Sequence, residues 1–301
     1  MTNSIQGLPS AHKDLARGPL ADAFAALRRN RVAMASLLII AMLILVAAGA
    51  PLLAPHDPTA IGKETMLVPP VWAGGTWVFP LGTDSLGRCM LSRLIYGARL
   101  SLVVGLIVVT LSLTVGVVLG LVAAFFRGWI DATIMRLMDM TLALPGLLLA
   151  IVVVVILGPG LLNAMIAVAI TNIPYYARLV RASAMGELTK DYVVAAKVSG
   201  ARTFRLMFRT VLPNCLSPLI VQSTLGVSAA ILDTAALGFL GLGAQPPVPE
   251  WGTMLADSRG FIRHAPWVVT LPGIAIFVTV LAFNLLGDGL RDALDPRLKT
   301  S

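Results

Sequence analysis

Charge is what this sequence has least of. Only 13% of its 301 residues are Asp, Glu, Lys or Arg, while 57% are hydrophobic and the mean hydropathy is +0.86. Soluble domains carry about a quarter charged and about half apolar residues, so this composition excludes a soluble globular fold and places the chain in a membrane. Cysteine is nearly absent: Cys89 and Cys215 are too few for a disulfide framework, and the topology below puts them near opposite faces of the bilayer, out of bridging reach. The three histidines, His12, His56 and His264, have no Cys or carboxylate at ligand spacing, which argues against a structural metal and assigns them to solvated loops. No G-x-x-x-x-G-K-S/T phosphate loop occurs in the chain, so it does not itself use ATP in the usual way. Missing too are the clustered His, Asp and Glu of a membrane-embedded enzyme. Nor do two related halves with broken helices appear, as a self-sufficient secondary transporter, the rival of a different class, would be expected to show.

What is there, instead, is a series of long apolar runs. A hydrocarbon core about 30 Å thick needs about 20 helical residues, and six stretches qualify, at 33–54, 100–126, 133–158, 163–182, 215–242 and 267–288. The fourth is the weakest, being interrupted by Asn172, Pro174, Tyr175, Tyr176 and Arg178. The first imitates a cleavable signal through Ala48-Gly49-Ala50, but its apolar run from Val32 to Leu53 exceeds the usual signal core and reads as a retained anchor. With the N-terminus inside, 17 of the 23 basic residues fall in cytoplasmic segments and only Lys63, Arg88, Arg93, Arg99, Arg259 and Arg263 outside. That asymmetry predicts cytoplasmic termini, 1–32 and 291–301. It also accounts for the net charge of +8 and a pI near 10.1 through topology rather than through nucleic acid.

Between the first two spans, 55–99 is expected to be an outer loop. Its end, LGTDSLGRCMLSRLIYGARLSL, offers Thr83 or Asp84 as a helix cap and sets Leu86, Met90, Arg93 and Gly97 at helical spacing, which predicts an amphipathic elbow on the outer membrane surface. The second outer loop combines prolines with Trp251 and Trp267, either as interfacial anchors or as a docking surface. Pro145 is expected to kink the third span. Gly238, Gly241 and Gly243 are expected to permit close packing at the outer end of the fifth.

The segment 195–214, AAKVSGARTFRLMFRTVLPN, holds Lys197, Arg202, Arg205 and Arg209 with no acid among them. On a helix the three arginines fall within about 60° of one another, with Phe204, Met207, Phe208 and Val211 on the far side. Ala195 and Ala196 are small enough for close packing of another backbone, Gly200 permits a turn, and Pro213 suits the first turn of the next span. The expected form is helix, turn, helix. Two roles remain open: an interfacial helix on anionic lipid, or a knob that docks on a soluble partner.

The same segment resembles the cytoplasmic loop of bacterial ABC importer permeases, Glu-Ala-Ala, three residues, Gly, nine residues, Ile-x-Leu-Pro. Here it runs Val194-Ala195-Ala196, Gly200, then Thr210-Val211-Leu212-Pro213, with Val194 and Thr210 departing from the pattern. The stretches LGTDSLGRCMLSRLIYGARLSLVVG, in which Cys89 stands where Asp is usual, NCLSPLIVQSTLGVSAAILDTAALGFLGLGAQPPVPEWGTML and FNLLGDGLRDALDPRLK are similar to the peptide and nickel branch of that family, most of all to its dipeptide C-type subunits. The resemblance covers nearly all of the chain after its first 25 residues. It implies an all-helical, six-span permease of type I importer fold in a bacterial inner membrane, with five spans and the coupling loop 182–214 inside a core at 100–290. It also implies a B-type permease partner, two cytoplasmic ATPase subunits that hold ATP and Mg, and an extracytoplasmic peptide-binding protein. No cofactor is expected on this chain. Oligopeptide, glutathione or nickel import are the rivals within the family. The residues implied in coupling are Ala195, Ala196, Gly200, Arg202, Phe204, Arg205, Met207, Phe208, Arg209, Leu212 and Pro213.

Asp233 lies within the fifth span, where an acid is costly and avoids lipid. It is expected either to line a translocation path or to hydrogen-bond a neighbouring helix. Gln222 and Asn284 face the same choice, as do Asn172 and Thr224, and being uncharged lean toward packing.

Overall fold

The computed structural model describes residues 27–294, so most of the two expected tails, and His12, lie outside the described residues. Helix α1 spans Arg31–Ala48. Asn30 starts it by accepting, at Oδ1, from the backbone N–H groups of Val32 and Ala33 at 3.1 Å, and one further turn, Ala50–Leu53, continues it. Helices α2 (Met90–Phe126), α3 (Gly128–Leu142), α4 (Gly146–Leu157) and α5 (Leu161–Glu187) follow. Then come the short α6 (Asp191–Val198), the long α7 (Leu216–Phe239), α8 (Trp251–Ser258) and α9 (Trp267–Leu294). The described residues form no strand.

Among the described residues, four helical runs are long and apolar enough to cross a membrane: α1, α2, the run Thr203–Phe239 that includes α7, and α9. The pair α3 and α4 makes a fifth if counted as one span, although the two are bent by 94°. Pro145 therefore sits at a break rather than a kink: the helix stops at Leu142 and restarts after Pro145. Proline lacks the N–H that a continuing helix needs and disfavours helical geometry in the residue before it. The fourth expected span lies within α5, which at 27 residues is long enough but too polar to qualify by composition.

Of the residues expected to interrupt α5, Tyr175 and Arg178 are exposed, but the others are received by protein. Pro174 sits inside the unbroken helix on its buried face, and Tyr176 is only 1% exposed. Asn172 turns its Nδ2 back to the Val168 carbonyl at 2.8 Å. Arg181 grips Asp131 of α3 with two hydrogen bonds, Nη2 to Oδ2 at 2.6 Å, the forked geometry suited to arginine. Along α2, Gly116 and Gly120 let α5 come close: a Cβ at either would lie 2.5 Å from Tyr176 or from the Ala177 carbonyl. Ser112 adds a cross-helix bond to the Ala169 carbonyl at 3.0 Å. Without a hydrophobic drive between helices in lipid, this small-residue packing is what holds spans together. The core that results joins α2, α5 and α7 through Val104, Val108, Leu121, Val168, Val180 and Leu237.

At one end of the bundle, the loop end, residues 54–89 fold over the start of α2. No surface elbow forms. Cys89, not Thr83 or Asp84, precedes the helix, Leu86 remains in the loop, and Met90 to Arg99 are the first turns of a single 37-residue helix. The polar residues expected to face water instead face protein. Arg93 is 2% exposed and donates through Nη1 to the carbonyls of Pro58 at 3.2 Å and Pro247 at 3.5 Å, stitching the two loops together. Asp84 caps its own turn, accepting from the Leu86 and Arg88 N–H groups at 2.9 Å, and pairs with Arg88 Nε at 2.6 Å. Burying one of these charges alone costs several kcal/mol, roughly, so they are buried as a set.

Of the two loop tryptophans, Trp251 is inside, which overturns the anchor and docking readings for it, while Trp267 is half-buried. Trp251 is 1% exposed, donates to the Leu94 carbonyl at 3.1 Å, and lies so close to Gly97 that a Cβ there would meet its ring at 2.6 Å. Trp267 donates to the Thr83 carbonyl at 3.2 Å. Glu250 begins α8 by accepting from the N–H groups of Gly252 and Thr253, each at 2.8 Å. Burial raises its pKa, against the opposing pull of those two bonds. A Cβ on Gly238 would lie 2.5 Å from the Glu250 carboxylate, and one on Gly243 would lie 2.7 Å from Gly238, so close packing explains both; Gly241 is open and adopts φ +80°.

Candidate functional site

The opposite end of the bundle carries 187–215, and the described ends of the chain lie there too: a Cβ on Gly289 would touch Ala33, and Arg291 lines one cavity with Lys190. The segment is helix, turn, helix. After α6, Gly200 takes φ +82° with open space where a Cβ would stand, so backbone conformation alone calls for glycine. The chain then turns through Thr203–Arg205 into a π-helical stretch, Leu206–Val211, and a tight turn, Leu212–Cys215, with Pro213 at its start, before entering α7.

The π stretch changes which face is buried. Met207 and Val211 are buried as the periodicity predicts, and Phe208 is partly so, but Leu206 takes the place expected for Phe204. Phe204 is 73% exposed and leans on Phe208, ring centroids 4.6 Å apart. Wider winding shifts the register that a regular helix would impose. Arg202, Arg205 and Arg209 are exposed on the same protrusion as Lys197. Among them stand Val194 and Val198, half and mostly exposed, and Ala195; Ala196 is half-buried. The surface is thus a basic knob studded with uncovered apolar side chains.

At the base of the knob, Glu187 ends α5. Its carboxylate accepts from Lys190 Nζ at 2.7 Å and from the Tyr192 hydroxyl. Burial by itself would raise the Glu187 pKa, but these two donors outweigh it and hold the carboxyl below its ordinary range. The Tyr192 hydroxyl is pushed up to about 12 by burial and by the carboxylate beside it, so it remains a donor. None of these three was singled out in the sequence, where they sit in a polar turn with nothing periodic about it.

Two cavities meet between α5 and α7. One, of about 310 Å³, is lined by Asp233 and Gln222 together with Asn172, Tyr175 and Thr141. The second, about 780 Å³, opens at the knob end and shares Gln222 and Leu225 with the first. Of the three proposed path residues, therefore, Asp233 and Gln222 share a cavity. Asn284 does not: its Oδ1 accepts from Ser228 of α7 at 2.6 Å, a packing contact between α7 and α9. Thr224 also turns inward on its own helix, donating to the Ile220 carbonyl at 3.0 Å. Thr141 and Tyr175 reach the cavity by the bend at Pro145 and by the face of α5, neither of which periodicity reveals.

A helical bundle with a basic elbow between two long helices and a polar cavity beside them is the build of a transport permease. Over residues 116–300 the chain matches the family described as the inner membrane component of binding-protein-dependent transport systems, and over 18–70 the N-terminal transmembrane domain of oligopeptide transport permease C. It belongs to that family of binding-protein-dependent permeases. Within it, the chain is 54% identical to the di/tripeptide transport system permease protein DppC of Pseudomonas aeruginosa over 99% of each chain. It is 54% identical to the dipeptide transport system permease protein DppC of Escherichia coli K12, over 93% of this chain and 94% of the relative. The glutathione transport system permease protein GsiD of Pectobacterium atrosepticum stands further off, at 43% over 97% and 96%. Among solved structures, the inward-facing MetNI methionine ABC transporter gives a TM-score of 0.56 over 68% of this chain and 98% of its own, at 19% identity, a likeness of fold alone.

Proposed function

We infer that this chain is the C-type membrane subunit of an ATP-driven importer of dipeptides, crossing a bacterial inner membrane six times with both termini in the cytoplasm. The observation that carries the substrate is the identity of 54% along the whole length of a di/tripeptide permease, against 43% for a glutathione permease. In this reading α3 and α4 together make one broken span and α5 another. The knob at 187–215 then faces the cytoplasm, which agrees with its share of the basic residues.

The chain does no chemistry. A B-type permease completes the membrane pore, an extracytoplasmic protein delivers the peptide, and two ATPase subunits bind ATP and Mg. Exposed Phe204, Val194 and Val198 among Lys197, Arg202, Arg205 and Arg209 give the knob the mixed apolar and basic character of a protein-docking surface. Closure of the ATPases would push this knob, and the push would reach the cavities through α5 and α7, the helices that leave it. Bundles of packed helices move in such rigid steps. Asp233 and Gln222 line the path along which the peptide moves.

The test is uptake of a labelled dipeptide by cells with and without the chain. Loss on deletion, restored by the gene in trans, is expected; uptake that persists in a strain lacking other peptide systems removes the assignment.

A further inference from the structure

The knob helix α6 is held to the rest of the protein at few points. It packs on the π stretch Leu206–Val211 and sets one buried side chain, Val193, into the core, and its start follows α5 through Leu188, Thr189 and Lys190. Lys190 is where the two helices part: its backbone is extended, φ −81°, ψ 145°. An extended residue between two helices is a hinge unless side chains brace it.

Here they do. The Glu187 carboxylate spans the parting point, one oxygen taking Lys190 Nζ at 2.7 Å and the other the Tyr192 hydroxyl in the first turn of α6. Exposed ion pairs contribute little, and the Lys190 side chain is 56% exposed, but the Glu187 side chain is only 13% exposed, and both of its bonds are charge-assisted. Glu187 and Lys190 also line the larger cavity, opposite Arg291 and Ser217. One carboxylate therefore touches both the helix that carries the basic knob and the wall of the cavity.

We propose that Glu187, Lys190 and Tyr192 form a brace that makes α5 and α6 move as one lever, so that displacement of the knob changes the cavity instead of being absorbed at Lys190. The inference rests on the knob being the docking surface for the ATPases. Glu187 and Tyr192 are positioning residues in it: neither meets peptide or nucleotide. Without the brace, ATP hydrolysis continues while the knob swings on a loose joint.

The experiment measures peptide transported per ATP hydrolysed by the complete importer, with its binding protein, in proteoliposomes. Tyr192→Phe removes one hydroxyl from a side chain 40% exposed and leaves the ring in place. It and Glu187→Ala are each expected to lower the ratio about 5-fold or more, the low end of measured coupling free energies, with ATPase activity retained. Glu187→Gln, whose amide oxygen still accepts from Tyr192, is expected to fall between wild type and Glu187→Ala. The double variant Glu187→Ala/Tyr192→Phe is expected to be no worse than the poorer single, because both cut the same link. A wild-type ratio in Tyr192→Phe overturns the brace, as does a double variant whose losses multiply. Should Glu187→Ala fail to assemble, Tyr192→Phe decides alone. A parallel arm, Arg205→Glu/Arg209→Glu, separates the two readings: if reversal uncouples and Tyr192→Phe does not, only the brace falls. If reversal leaves the ratio unaltered, the docking surface falls and the brace with it.

Discussion

At the scale of single residues, the bilayer decides what each polar side chain does. Asp233 is the one acid lining the smaller cavity, and no hydrogen bond or ion pair reaches it from the described residues. Asn284, equally polar in sequence, is spent on Ser228. The contrast separates two roles that the sequence left open for both. If Asp233 meets the charged amino end of a passing peptide, Asp233→Asn removes an interaction of about 1.5–3 kcal/mol. Uptake should then fall roughly ten-fold or more while the protein assembles at wild-type levels, measured by initial uptake rate against membrane abundance. Equal uptake at equal abundance would leave Asp233 no part in the path. Glu250 shows the other use of a buried acid: both its oxygens are taken by the first turn of α8, and it has no freedom to meet anything else.

At the scale of helices, two devices carry the argument. The first is the close approach of α2 and α5 at Gly116 and Gly120. Gly120→Leu inserts a side chain where even a Cβ stands 2.5 Å from a carbonyl oxygen, and overpacking of this kind costs about 1–3 kcal/mol or more. The expected result is a lower thermal midpoint in detergent and reduced membrane abundance, whereas Gly186→Ala, at an open site in the same bundle, should change neither. Gly116 and Gly120 form a G-x-x-x-G pair, a spacing visible in the sequence once its partner helix is known. The second device is the elbow itself. Reversing Arg205 and Arg209 to Glu should leave the fold intact, since both are exposed, but cut transport per ATP severalfold by opposing the docking charge. A variant that couples normally would point to lipid as the surface these arginines meet.

For the whole molecule, the substrate is a matter of selectivity among related importers. Competition against labelled dipeptide uptake is expected to be strongest with dipeptides and weaker with longer peptides, glutathione and nickel ion; dominant competition by glutathione would transfer the chain to that neighbouring group. The helical fold class and the basic knob at 187–215 were legible from residues alone, because hydropathy runs and a lone basic segment are local properties of a chain in a bilayer. The loop end was not. Arg88, Arg93, Trp251 and Trp267 read as surface residues from their types and their loop setting. Each turned inward on a partner that its type does not reveal: Arg88 on the Asp84 carboxylate in its own turn, and Arg93, Trp251 and Trp267 on the carbonyls of Pro58, Leu94 and Thr83, all distant in sequence. The π stretch was hidden for a similar reason: its winding answers to what Leu206 and Val211 pack on, not to their spacing.

By itself the sequence determined that this is a helical membrane protein. It also determined that one short basic elbow stands apart from the apolar runs, since composition and span length depend only on what the solvent is. Tertiary structure alone decided that Asp233 faces a cavity while Asn284 faces a helix. It decided that 133–158 breaks at a near right angle, and that Glu187 binds the elbow to α5. Those outcomes depend on which helix lies alongside which, and a side chain in lipid takes whatever partner the packing brings within reach.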